Sequence, residues 1–206
     1  MRTIKRIVVT YAIKEELIHL RAPDCEFFYL FTGVGKAKSA FELTRYLSTH
    51  DVDLVLNIGT AGTFNHKVGG IWLANQLVDR DYEAIRLPGI EYELNGEDLL
   101  QQQPLLQSWM QTFDNKGLCS TGDSFVMDTA RPLGDVVDME AYAQAYVCQQ
   151  MNIPFLAVKY ITDRIGQNSV ALWESRLHTA CIALGLWFDA GRFPFQAVQV
   201  CVQSAV

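Results

Sequence analysis

Two acidic side chains stand at positions where an α/β protein can bind a small molecule. Glu140 belongs to Asp138-Met139-Glu140, next to the start of a predicted helix, and Asp163 follows the predicted buried strand at residues 156–161. A strand that ends on an acidic residue presents it at the mouth of a parallel sheet, where α/β proteins place their ligands. Acids at two such places indicate chemistry on a polar, hydroxylated small molecule.

Composition argues against several classes of protein. The chain has 206 residues, half of them apolar, which is enough for one domain with a large core. Its net charge of −6 gives no electrostatic support for a nucleic-acid or anionic-membrane partner. The five cysteines are scattered and lack CxxC spacing, which is typical of reduced thiols. Because we find neither a signal peptide nor an apolar run of membrane-spanning length, we expect a cytoplasmic protein.

Strands and helices alternate along the chain. The apolar runs predict strands at residues 6–11, 27–32, 53–58, 72–79 and 156–161, with residues 117–125 leading from a short strand to a loop. Helical spacing of apolar residues predicts helices at residues 36–48, 139–150 and 169–188. The alternation predicts an α/β fold of three layers, α/β/α, with a central mixed, mostly parallel twisted sheet.

We expect a single domain over residues 1–189. Residues 80–116 are polar and partly Gln-rich, so we expect a variable lobe there. Residues 190–206 form a C-terminal tail to which we assign no role.

Several short motifs together carry a resemblance to a known family. They are Gly59-Thr60-Ala61-Gly62 after a predicted strand, Thr121-Gly122-Asp123-Ser124-Phe125, Asp138-Met139-Glu140-Ala141 and Thr162-Asp163. The chain resembles the nucleoside phosphorylase and nucleosidase superfamily, in which these motifs recur in this order, over roughly residues 4–188. The pattern is most similar to that of bacterial 5'-methylthioadenosine/S-adenosylhomocysteine nucleosidases. Each motif alone could be an ordinary turn or helix cap.

The resemblance implies cleavage of a purine N-ribosidic bond, without metal or cofactor. Asp163 matches the general acid that protonates the leaving purine, and Glu16, in AIKEEL, matches the glutamate that activates water. An aspartic acid side chain in water has a pKa of about 3.9, so an acid in this role needs burial or a neighbouring acid. Glu140 matches the residue that binds the ribose 2'- and 3'-hydroxyls and favours the cationic sugar of the transition state.

The same resemblance assigns the binding residues around the nucleoside. Phe125 is expected to stack on the purine, the backbone of Val126 to hydrogen-bond the base edge, and Met139 to lie under the ribose. Ile13 and Trp173 are expected near the 5' substituent, where an aromatic side chain favours an apolar alkylthio group. The remaining expected contacts come from the glycine-containing motif: Thr60, whose hydroxyl helps to hold the water, followed by Ala61 and Gly62.

One position departs from the family. Lys159 stands four residues before Asp163, where the family usually has arginine. Lysine keeps the charge but lacks the planar fork that can hold a carboxylate and a water together. The substitution leaves the pairing of this cation with Glu16 open.

Hydrolysis is favoured over phosphorolysis. A phosphate dianion needs several converging donors, commonly arginines, and here a glutamate, Glu16, stands where phosphate would bind. Two further alternatives stay open. One is a hydrolase for another modified purine nucleoside, such as a futalosine-type compound, which residues 80–96 would decide. The other is a nucleoside-binding protein with weak catalysis, motivated by Lys159. The resemblance also implies a homodimer whose partner helps to close the 5' pocket.

Overall fold

The computed structural model describes residues 3–100, 103–127, 134–195 and 198–199. The strands are β1 (Arg6–Tyr11), β2 (Leu20–Arg21), β3 (Glu26–Phe31), β4 (Leu54–Thr63), β5 (Ile71–Asp79), β6 (Glu93–Asn95), β7 (Lys116–Thr121), β8 (Val136–Asp138), β9 (Phe155–Arg164) and β10 (Val198–Gln199). The helices are α1 (Lys36–Leu47), α2 (Arg80–Ile85), α3 (Pro104–Gln111), α4 (Ala141–Gln150) and α5 (Ser169–Asp189). Short 3-10 turns cover Lys14–Glu16 and Asp98–Leu100. The predicted α/β class is confirmed.

The central sheet is mixed, as predicted. Strand β1 is parallel to both β3 and β4, and β4 continues parallel to β9. Strand β5 is antiparallel to β9 and β6 but parallel to β7. Strand β8 is parallel to β7 and antiparallel to the last residues of β4. The pairs β4-β9-β5-β7-β8-β4 therefore close on themselves, so part of the sheet is a ring of five strands.

The motif Gly59-Thr60-Ala61-Gly62 lies inside β4, which corrects the prediction that it follows a strand. Pairing with β9 carries the strand through the motif, since Gly59 pairs with Lys159 and Thr60 with Tyr160. The register shifts between Ala61 and Gly62, so that Gly62 pairs with Asp163. Small residues permit such an irregularity, which re-aims the side chains that follow it. Asp163 accordingly lies within β9, one residue before its end.

Two apolar clusters pack against the sheet, because consecutive strand residues point to opposite faces. Val8 and Val55 belong to the cluster that contains Leu43 of α1 and Ala145 of α4. Their neighbours Ile7 and Leu56 belong to the cluster with α5. Helices therefore cover both sides of the strands that carry the acidic residues.

The segment of residues 80–116 is more than the separate variable lobe that the sequence suggested. Strand β6 pairs with β5, so this segment supplies an edge of the central sheet. Leu106 and Met110 of α3 are fully buried in the apolar cluster beneath α5. Among the described residues, no helix is long and apolar enough to cross a membrane.

The described part of the predicted tail packs on the domain. Phe193 is 1% exposed, and its ring centroid lies 5.6 Å from that of Trp109 in α3. The Nε1 of Trp109 donates to the carbonyl of Arg192 at 2.7 Å. Strand β10 pairs with β2. The boundary at residue 189 stays a prediction, and residues 196–197 and 200–206 lie outside the described residues.

Candidate active site

A cavity of about 140 Å³ opens beside the last residues of β4, β8 and β9. Its lining contains these predicted site residues: Ile13, Glu16, Thr60, Ala61, Gly62, Phe125, Val126, Met139, Glu140, Asp163 and Trp173. Segments far apart in the sequence thus meet in one place. Three carboxyl groups, those of Glu16, Glu140 and Asp163, share this cavity.

Glu16 is held by uncharged donors. It ends the 3-10 turn after β1, and the residue is 6% exposed. Its Oε1 accepts from both the backbone N–H and the hydroxyl of Thr60, at 2.9 and 2.7 Å, while Oε2 accepts from the N–H of Ala12 at 3.3 Å. A Cβ at Gly59 would lie 3.2 Å from Oε1, so a glycine allows this close approach. Oε2 keeps more of its acceptor capacity than Oε1.

Trp173 connects helix α5 to this carboxylate. Its Nε1 donates to the hydroxyl oxygen of Thr60 at 2.9 Å. Its ring stands edge-on to Phe125, with centroids 6.1 Å apart. The indole therefore reaches from the strand motif to the aromatic residue of the loop after β7.

Asp163 lies at the other side of the same strand motif. The residue is 2% exposed, and its Oδ1 accepts from the hydroxyl of Thr162 at 2.8 Å. Its Oδ2 faces Gly62, where a Cβ would lie 3.3 Å away. The irregularity between β4 and β9 gives the aspartate this orientation, and Oδ2 is the oxygen left to act on a ligand.

Glu140 is a buried carboxyl with a single backbone donor in its printed contacts. It precedes α4, and its Oε1 accepts from the N–H of Gly35 at 2.9 Å. Burial, followed by the nearby charge of Asp138, raises the pKa of Glu140 to about 8, although Lys159 and the Gly35 N–H oppose the shift. Gly35 adopts a φ of 99°, which favours glycine, and a Cβ there would lie 3.0 Å from Asp123.

Lys159 lies behind the cavity wall and not in its lining. The residue is 2% exposed, and its Nζ lies 2.9 Å from Oδ2 of Asp138. Burial alone would raise the pKa of Asp138, but the ammonium of Lys159 and the hydroxyl of Thr121 outweigh it, so that this pKa is lowered. Its neighbours Ala157 and Ile161 belong to the apolar cluster under α1 and α4. The structure thus pairs Lys159 with Asp138.

Arg80 is a site residue that the sequence interpretation missed. Its Nη1 donates to the carbonyls of Ser120 and Asp138, at 3.0 and 2.8 Å. Its Nη2 donates to the carbonyl of Gly122 at 2.9 Å and to that of Ser124. The guanidinium therefore joins the ends of β7 and β8 to the loop that carries Phe125. A signal was present, since Asp79-Arg80-Asp81 places a cation between two acids directly after a buried strand.

Lys36 fixes the loop that supplies the Gly35 donor. Its Nζ lies 2.8 Å from Asp79 and 2.7 Å from Asp81. Its backbone N–H donates to Asp123 at 2.7 Å. These bonds hold the start of α1 against the end of β5 and the loop after β7, so the Gly35 N–H stays directed at Glu140.

The arrangement can supply a proton, bind hydroxyl groups and activate water within one cavity. Ile13, Val34, Val137 and Ile165 add apolar surface to the lining. Within the described ranges, no three His, Cys, Asp or Glu side chains form a group that could hold a metal ion.

Comparisons with known proteins agree with this geometry. A family profile described as "Phosphorylase superfamily" matches residues 14–184. A 5'-methylthioadenosine/S-adenosylhomocysteine nucleosidase of Bacillus cereus (strain G9842) is 29% identical over 218 aligned positions, covering 86% of this chain and 94% of the relative.

Solved structures show the same fold. A Helicobacter pylori 5'-methylthioadenosine/S-adenosylhomocysteine nucleosidase with butyl-thio-DADMe-Immucillin-A has a TM-score of 0.71 at 18% identity, covering 88% of this chain and 95% of the other. A futalosine hydrolase of Helicobacter pylori has a TM-score of 0.70 at 20% identity, with coverage of 91% and 98%.

Proposed function

Because the chain belongs to the phosphorylase superfamily, we propose that it is a purine-nucleoside N-ribohydrolase. Its substrate is a 5'-modified adenosine, 5'-methylthioadenosine or S-adenosylhomocysteine, which it splits into adenine and the ribose derivative. The observation that carries the proposal is the convergence of Glu16, Glu140 and Asp163 on one cavity. The name of the Bacillus cereus relative supports the choice of substrate.

Each acid has one role in the proposed reaction. Asp163 donates its proton to N7 of the purine while the bond between N9 and C1' breaks, so the base leaves uncharged. Glu16 takes a proton from the water whose oxygen forms the new bond to C1'. Glu140 accepts from the 2'- and 3'-hydroxyls and, when ionised, stabilises the positive charge that develops on the sugar.

The other lining residues orient the nucleoside. Phe125 stacks on the base, the backbone of Val126 binds the base edge, and Met139 lies under the ribose. Ile13 and Trp173 contact the 5' group, and Thr60 positions the water with Glu16. Because Lys159 is buried against Asp138, we assign it a supporting role beneath the ribose site in place of direct contact with substrate.

Water is the proposed acceptor of the ribosyl group. Glu16 occupies the place where phosphate would approach, and its negative charge repels a dianion. Arg80, the guanidinium in the cavity lining, donates to four backbone carbonyls, of Ser120, Asp138, Gly122 and Ser124, which leaves it little capacity for an anion. Hydrolysis therefore remains favoured over phosphorolysis.

A futalosine-type substrate is the second candidate. The structural similarity to the Helicobacter pylori futalosine hydrolase motivates it, at nearly the same TM-score as the nucleosidase. The 5' group distinguishes the candidates, because Trp173 and Ile13 offer apolar surface to a small alkylthio group.

The proposal includes a homodimer in the cytoplasm, with a three-layer, mostly parallel domain. Phe41 on α1 and Phe31 at the end of β3 are 64% and 49% exposed, near Val34 of the cavity lining, which supports a partner on this side. Light scattering coupled to size-exclusion chromatography measures the mass. The described cysteines are free thiols, in keeping with a reducing compartment.

The decisive experiment follows free base by chromatography with a nucleoside panel in phosphate-free buffer. We expect adenine from 5'-methylthioadenosine or S-adenosylhomocysteine without added phosphate. Release that depends on phosphate would indicate a phosphorylase, and release from the futalosine-type compound alone would indicate the second candidate. Binding without single-turnover release would indicate a nucleoside-binding protein.

Asp163→Asn is the matched control. It keeps the shape of the side chain and removes the acid, so base release should fall by roughly 10³-fold, while the thermal unfolding temperature stays near that of the wild type. Near-normal turnover of this variant would refute the assignment of the acid.

A further inference from the structure

We propose that Trp173 is a positioning residue that sets the orientation of Glu16 through the hydroxyl of Thr60. The group that closes the 5' side of the cavity thereby also controls the carboxylate that activates water. The inference rests on the proposed function, and it adds a link between the 5' group and catalysis.

The direction of the hydrogen bonds is determined by their chemistry. An indole N–H can only donate, and a carboxylate can only accept. The Thr60 hydroxyl oxygen therefore accepts from Trp173 at 2.9 Å, and its one hydrogen goes to Oε1 of Glu16 at 2.7 Å. Because a β-branched side chain has few χ1 rotamers, both contacts fix the same rotamer of Thr60.

The consequence for Glu16 concerns which oxygen remains available. Oε1 accepts two bonds from Thr60, at 2.9 Å from the N–H and 2.7 Å from the hydroxyl, whereas Oε2 has one longer contact, 3.3 Å to the N–H of Ala12. The carboxylate is thus clamped at one oxygen and free to bind water at the other. Loss of the indole N–H frees the Thr60 hydroxyl to turn, and the clamp loosens.

The position of the indole couples this clamp to the 5' substituent. Trp173 lines the cavity and contacts the ring of Phe125, with centroids 6.1 Å apart, while its one donor is directed at Thr60. It can therefore offer only apolar ring surface to the 5' group. A bulky 5' substituent that displaces the indole lengthens its bond to Thr60, and selectivity then appears in kcat more than in KM.

A double-mutant cycle tests the link. The variants are Trp173→Phe, which keeps an aromatic ring but removes the N–H, Thr60→Val, which removes the hydroxyl, and the double variant. Thr60→Ser, which keeps the hydroxyl, provides a second background for Trp173→Phe. Trp109→Phe is the matched control, because it also removes a donated indole bond, that of 2.7 Å to Arg192, in the aromatic cluster beneath α5.

We expect Trp173→Phe to lower kcat for 5'-methylthioadenosine about tenfold, the size of one hydrogen bond, with a much smaller change in KM. In the Thr60→Val background the same substitution should change kcat less than about twofold, since the acceptor is gone. In the Thr60→Ser background the roughly tenfold loss should return. Trp109→Phe should leave kcat unchanged.

Additive effects of Trp173→Phe and Thr60→Val in an active enzyme would refute this inference and leave the proposed function intact. A loss confined to KM would do the same. A wild-type protein that releases no base from any nucleoside would overturn both.

A series of 5'-alkylthio adenosines of increasing length gives a second measurement. In the wild type, kcat should decline with length as the indole is displaced. In Trp173→Phe the decline should be shallower, because the bond to Thr60 is already absent. Equal slopes would contradict the coupling.

Discussion

The two walls of the cavity hold their carboxyl groups by different means. Around Glu16 the donors are uncharged, two from Thr60 and one from Ala12. The opposite wall contains a buried cation, Lys159, but its charge is paired with Asp138. Glu140 beside it receives one backbone hydrogen bond, from Gly35.

The difference separates chemistry from stability. Neutral donors can orient Glu16 without burying an opposite charge, so this wall can be altered with little effect on folding. The Asp138–Lys159 pair joins β8 to β9 in a buried place, and removal of one partner leaves an uncompensated charge. The second wall therefore supports the fold, and its chemistry depends on the protonation of Glu140.

The largest effect is expected from Glu16→Gln. The amide oxygen can still accept from Thr60, so the fold remains, but the base that activates water is lost. We expect single-turnover base release to fall roughly 10³-fold, equivalent to about 4 kcal/mol of barrier. The free energy of unfolding, from urea denaturation, should change by less than about 0.5 kcal/mol. A large loss of stability would contradict the contrast between the walls.

Lys159→Met is the matching change on the second wall. It leaves Asp138 buried without its cation, so we expect roughly 3 kcal/mol of destabilisation by urea denaturation. The double variant Lys159→Met/Asp138→Asn should recover part of that loss, because the buried charge is gone too. If Lys159→Met were as stable as the wild type, the pair would have no structural role.

Glu140→Gln sharpens the contrast within the second wall. It removes the charge that favours the ribose cation but keeps an acceptor, so we expect kcat/KM to fall about 10- to 100-fold. The preference for ribonucleosides over 2'-deoxynucleosides should shrink, as measured by the ratio of kcat/KM values. An unchanged preference would mean that Glu140 does not bind the 2'-hydroxyl.

The smallest effect is a dependence of stability on pH. The folded-state pKa of Glu140, about 8, lies above its ordinary value of 4.5, so between these values the folded state binds more protons than the unfolded chain. Stability must therefore fall as pH rises through this window, by less than about 1.4 kcal/mol for each pH unit. Urea denaturation at several pH values should show this slope, and Glu140→Gln should flatten it.

Much of the architecture could be predicted, because buried strands and amphipathic helices leave periodic patterns of apolar residues. The run at residues 6–11 is β1, and helix α5 begins at Ser169 as predicted. The sequence motifs also predicted residues that the fold gathers around one cavity, including Glu16 and Asp163, which are far apart in the chain.

The partner of Lys159 and the role of Arg80 could not be predicted. The side of a strand to which a residue points depends on pairing and irregularities, and the register shift after Ala61 is not encoded in apolar periodicity. Likewise, Arg80 binds backbone carbonyls, which carry no side-chain signature in the sequence. Both are long-range contacts between elements whose relative placement requires the whole fold.

The ring of β4, β9, β5, β7 and β8 has a consequence for local opening of the molecule. A strand in such a circuit has neighbours along both edges, and β4 pairs with β1 and β8 on one edge and with β9 on the other. Separating it requires breaking two ladders at once. Thr60 and the glycines around it therefore belong to the segment whose amide hydrogens exchange most slowly with solvent. The base-release chemistry is mounted on the part of the chain that opens last.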